Sequence, residues 1–178
     1  AALASVVYHA QARNLRMEDW NYSADSETFA TSYIMPFVNA AKSCGADGDD
    51  CFAKKYTYRD GSDAASAISE DYYKATLSDG SAIAIKSGGC TDSNPSICAS
   101  FIVDTNGTDG PNQWGKDVFE FQILGGLHAI VPEGTFSSYN ADTKRWEFSE
   151  PEKITQDCIA KGTSCAAKII SDGWEINY

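Results

Sequence analysis

The chain has 178 residues, of which 43% are hydrophobic and 12% aromatic, a composition typical of one folded domain and unlike that of a disordered chain. Twenty-five acidic residues against fourteen basic ones give a net charge of −11. This charge repels phosphate backbones and anionic lipid headgroups, so we expect no nucleic-acid partner.

The predicted elements begin with two helices. Apolar residues recur at helical spacing over 1–16, which indicates an amphipathic helix, and a second helical pattern runs over 26–42. Pro36 should kink this second helix or split it near Met35, because a proline has no backbone N–H to donate inside a helix.

The middle of the chain carries strand patterns. A short strand is predicted over 52–59, and two β-compatible runs, 72–77 and 81–85, flank Asp79 and Gly80, which together form a strong hairpin signal. Four further runs follow, a strand at 99–104, a strand at 118–123, a short apolar piece at 128–131 and a turn with a short strand at 139–148.

Two short helices are predicted near the end of the chain, over 152–160 and from 164 or 165 through 170. The order is helices, then an antiparallel meander, then helices, which predicts an α+β fold. We expect a single domain over 1–178, with helices in 1–43, a small antiparallel sheet in 52–148 and a C-terminal region in 149–178.

The six cysteines fall into three close couples that enclose short polar loops, Cys44 with Cys51, Cys90 with Cys98 and Cys158 with Cys165. Six cysteines allow fifteen pairings, and the spacing favours three local disulfides between nearest neighbours. Zinc is the competing interpretation, although the couples lack the short gaps and companion histidines of structural zinc sites. Disulfides predict an oxidising location, namely the periplasm, the cell surface or the medium.

The most distinctive stretch is the polar loop between the strands at 99–104 and 118–123. Asp104, Asn106 and Asp109 resemble the alternating oxygen donors of a calcium loop, and Asp117 is the nearest carboxylate downstream. The gap between Asn106 and Asp109 is too long for an EF-hand, and the closing glutamate is missing. The alternative is a loop in which Asp and Asn side chains bond their own backbone.

The sequence offers no converging catalytic set. No serine stands in a nucleophile elbow, no Gly-rich phosphate loop opens a helix, and neither His9 nor His128 has an evident partner. We therefore expect a non-catalytic protein. The alternative is a free secreted binding or enzymatic domain, and carbohydrate recognition would then use one of four tryptophans: Trp20, Trp114, Trp146 and Trp174.

Four stretches resemble, in matching order, the type IV pilin-like proteins, a family that includes pilins and the pseudopilins of bacterial type II secretion. They are the leading helix at 1–16, the hairpin turn at 77–83, the loop at 103–119 and the chain ending at 165–178. The loop is the most specific of the four.

The resemblance implies a pilin-like head, in which an N-terminal helix packs against the antiparallel sheet. It also implies a filament at the cell surface or in the periplasm, whose partners are copies of this chain or other pilin-like subunits. The family's helix begins with an apolar half embedded in the inner membrane before assembly. This sequence lacks that half and the prepilin cleavage motif, so we expect a soluble head in which 1–43 holds a remnant of the stalk.

Major pseudopilins are similar in carrying a calcium-stabilised loop between strands of the head. The resemblance therefore implies calcium as a cofactor at the matching positions of this loop, Asp104, Asn106, Asp109 and Asp117.

Overall fold

The computed structural model describes residues 6, 10, 16–46, 48, 50–91 and 95–178. Most of the helix predicted over 1–16 lies outside these residues. Val6 and Ala10 are described, and both are helical and fully buried.

Among the described residues, three α-helices have defined ends: α1 (Ser26–Tyr33), α2 (Pro151–Ala160) and α3 (Cys165–Ser171). Short 3₁₀ helices lie at Met17–Asp19, Met35–Phe37 and Ala65–Ala67. The strands are β1 (Ala40–Gly45), β2 (Tyr73–Leu77), β3 (Ala82–Ser87), β4 (Ile97–Asp104), β5 (Val118–Leu124), β6 (Ile130–Pro132), β7 (Phe136–Asn140) and β8 (Arg145–Phe148).

Strands β1 to β6 form one antiparallel sheet in which the spatial order equals the chain order. Strands β7 and β8 form a separate two-stranded antiparallel sheet. The α+β prediction is confirmed, and so are the hairpin between β2 and β3, the strands on either side of the polar loop, and the two helices near the chain end.

The second predicted helix was wrong in its extent. Helix α1 is capped by Asp25, whose carboxylate accepts the N–H of Thr28 at 2.9 Å, and it ends at Tyr33. The split near Pro36 is confirmed, because a 3₁₀ turn follows there. The residues after it form β1 instead of helix, since their backbone pairs with β2, and a tertiary pairing of this kind overrides the local pattern.

The strand predicted over 52–59 was also wrong. Only Thr57 in this segment makes isolated bridges, one to Asp63 and one to Gln113. The apolar residues that produced the strand pattern, Phe52 and Tyr56, are instead buried side chains of an irregular segment packed on the sheet.

The sheet has a hydrophobic cluster on each face, because successive residues of a strand point to opposite sides. On the first face, Phe101 and Ile123 share a cluster with Phe29 of α1 and with the helical residues Val6 and Ala10. On the second face, the cluster belongs to the irregular segment, the polar loop and the alternate strand residues, and it contains Tyr56, Tyr72, Ala82, Ala84, Ile102, Trp114 and Val118.

The three disulfides pair nearest neighbours as predicted, Cys44–Cys51, Cys90–Cys98 and Cys158–Cys165. No cysteine is free, which removes the zinc interpretation. The third bridge joins α2 to α3 across a short connection, so it fixes the two C-terminal helices to each other.

Candidate functional site

The polar loop runs from the end of β4 to the start of β5 and turns several times between them. Asp104 is the last residue of β4, and Asp117 immediately precedes β5. The N–H of Thr105 donates to the carbonyl of Asp117 at 2.8 Å, which closes the base of the loop.

Asp104 anchors the entry to the loop. Its side chain is fully buried, and its carboxylate accepts the hydroxyl of Tyr56 at 2.7 Å and the N–H of Asn106 at 3.2 Å. Burial raises the pKa of Asp104 to about 6, against the lowering effect of these donors. Burial also raises the pKa of Tyr56, and the hydrogen bond to Asp104 adds to that rise.

Asp117 anchors the exit from the loop. It is only 5% exposed, and each carboxylate oxygen accepts one backbone N–H, from Asn112 at 2.8 Å and from Gln113 at 2.7 Å. The side chain therefore replaces the hydrogen bonds that a regular element would give to these two peptide groups.

The second half of the loop is also tied to the irregular segment. The N–H of Thr57 donates to the carbonyl of Asn112 at 3.1 Å, and the N–H of Trp114 donates back to the carbonyl of Thr57 at 3.0 Å. The Gln113 amide donates to the Tyr58 carbonyl at 3.2 Å. The segment predicted to be a strand thus acts as the outer wall of the loop.

The same half of the loop lies against the C-terminal helices, where two glycines allow a close approach. A Cβ on Gly162 would overlap the carbonyl of Trp114, and a Cβ on Gly115 would lie 2.7 Å from the sulfur of Cys165. The hydroxyl of Tyr178 donates to the Gly115 carbonyl at 3.1 Å. The loop therefore joins the sheet, the irregular segment and the C-terminal region.

The predicted calcium ligands divide into two groups. Asp104 and Asp117 are buried and hold the backbone, whereas Asn106 and Asp109 are exposed, and the Asn106 amide donates to the Gly110 carbonyl at 3.1 Å. Within the described part of the chain, no three His, Cys, Asp or Glu side chains are grouped so that they could hold a metal ion.

One oxygen in the loop has no hydrogen-bond partner in the described structure. The Oδ1 atom of Asn112 is buried and accepts no hydrogen bond, although the N–H of the same residue is held by Asp117. Asn112 also has a φ of 52°, a left-handed conformation that asparagine tolerates better than most residues.

Sequence reasoning missed Tyr56 and Gly162, the residues that hold the loop from outside. No local signal marks Tyr56, because its partner Asp104 lies 48 positions away. The Asn112 to Asp117 turn was accessible from the sequence, since an aspartate that follows a cluster of Gly, Pro and Asn is typical of side-chain-to-backbone turns.

The tryptophans proposed for carbohydrate recognition differ in their accessibility. Trp20 and Trp114 are buried in the two faces of the core, and the indole N–H of Trp146 donates to the Gly125 carbonyl at 2.8 Å. Trp174 is 75% exposed, so of the four it alone presents most of its surface to solvent.

Comparison with known protein families, with curated proteins and with solved structures finds no match to this chain. None of the helices in the described residues has the length and apolar character needed to cross a membrane.

We predict that Asp117→Ala lowers the free energy of unfolding by about 2–4 kcal/mol, because two half-buried peptide N–H groups lose a charged acceptor. Asp109→Ala, in the same loop but exposed, should change it by less than about 0.5 kcal/mol. Urea unfolding in EDTA measures both. Equal effects of the two substitutions would show that the Asp117 hydrogen bonds do not hold the loop.

The contact between the loop and the C-terminal region can be tested with two glycines of nearly equal φ. Gly162 has a φ of 83° and Gly61 a φ of 84°, but a Cβ on Gly61 would meet no atom within 4 Å. Alanine at Gly61 should cost about 1–2 kcal/mol for the left-handed backbone. Alanine at Gly162 should cost about 1–3 kcal/mol more, because of the overlap with Trp114. Similar unfolding midpoints for the two variants would contradict the close packing.

Proposed function

We propose that this chain is a non-catalytic structural subunit of a filament, either a type IV pilus or a type II secretion pseudopilus. The observation that supports this most is that the two buried carboxylates of the polar loop hold its backbone. Asp104 and Asp117 accept hydrogen bonds that fix the loop backbone, in the stretch that carries the strongest resemblance to pseudopilins. A loop built in this way makes the head rigid.

The first face of the sheet supports the same proposal. Val6 and Ala10 are helical, lie four positions apart and are buried in one cluster with Phe101 and Ile123 of the sheet. Residues at this spacing lie on one side of a helix. This is the contact expected of a stalk helix that packs along the sheet of a pilin-like head.

The assembled filament would place this head in contact with copies of the same chain or with other pilin-like subunits. The three disulfides support an oxidising location at the cell surface or in the periplasm. Within that location the head needs rigidity because each subunit repeats the same contacts along the filament.

The decisive experiment is to determine the complete gene and to isolate filaments from the cells that carry it. We expect a prepilin-type leader and an apolar stretch of roughly 20 residues upstream of Ala1, the length needed to span a bilayer. Sheared and purified filaments should contain the protein, and deletion of the apolar stretch should remove it from them.

A cleaved secretory signal peptide with no retained apolar stretch would contradict the filament proposal. Recovery of the protein only as a free molecule in the medium would do the same. Either result would favour the secreted binding domain, for which the exposed Trp174 is the accessible tryptophan.

We also propose that calcium stabilises the loop. The donor types suit calcium, which takes carboxylate, amide and carbonyl oxygens. The buried Oδ1 of Asn112 supports this, because it is an oxygen that no described donor satisfies and it lies in the turn held by Asp117. The ion would supply positive charge to a loop that contains three aspartates, Asp104, Asp109 and Asp117.

Calcium should raise the melting temperature by several degrees relative to EDTA, since a ligand that binds only the folded state stabilises it. Asn112→Ala and Asp109→Ala should each reduce this rise. The matched control is Asp142→Ala, an exposed aspartate in the turn between β7 and β8, which should leave it unchanged. Identical melting in calcium and in EDTA would overturn the calcium proposal and leave the filament proposal intact.

A further inference from the structure

Two glutamates stand opposite each other at the far edge of the sheet. Glu120 lies in β5, and Glu133 follows the last residue of β6. The pairing of Phe121 with Pro132 continues to these residues, because the N–H of Glu133 donates to the carbonyl of Glu120 at 3.0 Å. Directly opposed residues of antiparallel strands have Cβ atoms about 4.5–5.5 Å apart, and like charges at such positions destabilise the pair.

Glu120 points to the second face of the sheet, since it alternates with Phe121, which packs on the first face. It is half-buried, and its register partner on β4 is the buried Ile102. Burial raises the pKa of Glu120 to about 7, and the charge of Glu133 adds to the rise, whereas a hydrogen bond with Gln122 opposes it. Burial raises the pKa of the nearby Tyr72, and the charge of Glu120 adds to that rise.

Glu133 is half-buried and connects the sheet to the C-terminal helices. Its Oε2 atom accepts the hydroxyl of Ser164 at 3.4 Å, and Ser164 is a buried residue that immediately precedes α3. Burial raises the pKa of Glu133, and the charge of Asp157 in α2 adds to the rise, whereas Lys153 lowers it. These two α2 residues are themselves an ion pair, with 2.6 Å between Lys153 Nζ and Asp157 Oδ2.

The charged residue of α3 is Lys168, which has a carboxylate partner of its own. Lys168 pairs with Asp172 of the same region, with Nζ and Oδ2 2.8 Å apart. Lys153 and Lys168, the lysines of α2 and α3, are therefore each in an ion pair with an aspartate, although the charge of Lys153 still lowers the pKa of Glu133. When both are ionised, their repulsion acts at the point where β6 and Ser164 attach to the sheet.

We propose that Glu120 and Glu133 share a proton in acidic to neutral solution, and that loss of this proton loosens the attachment of β6 and α3 to the sheet. The pair is a pH-sensitive device built into the fold, and it does not depend on the filament proposal. Coupled carboxylates of this kind titrate together, so the proton belongs to the pair.

The direction of the effect follows from proton linkage. The folded state holds the proton on the pair up to a pH of about 7, the pKa of Glu120, whereas a glutamate in an unfolded chain loses it near its ordinary value of 4.5. Between these two values the folded state binds more protons than the unfolded state, so stability falls as the pH rises. Below this window the stabilisation is complete, and above it the stabilisation is absent.

Thermal unfolding of the whole chain from pH 5 to pH 8 tests the stability part of the proposal. The melting temperature of the wild type should fall by about 5 °C over this range. Glu120→Gln, which cannot ionise, should reduce the fall by at least about half. Glu147→Gln changes an exposed glutamate of β8 and should keep the wild-type slope. Asp104 also has a raised pKa, so it adds its own fall in stability over this pH range, and this fall is the same in all three proteins.

Hydrogen exchange of the α3 amides, corrected for the intrinsic effect of pH, tests the attachment. Protection in the wild type should be lost between pH 5 and pH 8, and Glu120→Gln should retain it. Equal pH slopes of melting for the wild type and Glu120→Gln would overturn the proposal, and unchanged α3 protection would overturn its second half. If the variant does not fold, a carbon NMR titration of the wild-type carboxyl groups decides, because two ordinary glutamate pKa values would overturn the shared proton.

Discussion

Asp104 is fully buried, so its carboxylate depends on donors from the protein itself. One donor is the hydroxyl of Tyr56 and the other is the N–H of Asn106, which means that the end of β4, the irregular segment and the polar loop meet at a single side chain. Of these three parts, the irregular segment and the polar loop lack strands or α-helices of their own. The hydrogen bonds to Asp104 give them a common position, and the aromatic cluster of Tyr56, Trp114 and Phe52 then fills the second face of the sheet around it.

The position of the polar loop also constrains the position of the C-terminal region. The N–H of Trp114 donates to the Thr57 carbonyl on one side, and the Trp114 carbonyl lies against Gly162 on the other. The Cys158–Cys165 bridge keeps α2 and α3 together, so both helices follow the position of Gly162. The polar loop is thus one place where the sheet and the C-terminal helices are held in position relative to each other, and this role fits its many residues that accept unusual backbone angles.

The elements that could be predicted from the sequence are those whose signals are local. Asp79 and Gly80 specify the hairpin turn between β2 and β3 by their own backbone preferences, and the alternating residues of β5 specify a strand. The predictions were wrong where contacts between residues far apart in the sequence determine the local structure. Strand β1 exists because β2 pairs with it, and Tyr56 is a buried partner of Asp104 because the fold brings together positions that the sequence keeps far apart. The loop was recognised, but the roles of its buried carboxylates required their partners to be seen.

The two buried carboxylate sites of the second face have opposite consequences because their donors differ. Asp104 accepts a hydroxyl and a backbone N–H, and both favour its charged form against the effect of burial. Glu120 has one hydrogen bond that favours its charged form, with Gln122, but burial and the charge of Glu133 outweigh it, so its pKa is raised. The hydrogen bonds around Asp104 suit a contact that holds the polar loop permanently in place. The arrangement around Glu120 leaves the edge of the sheet responsive to protons, and since Glu133 also holds Ser164, that response reaches the C-terminal helices rather than the polar loop.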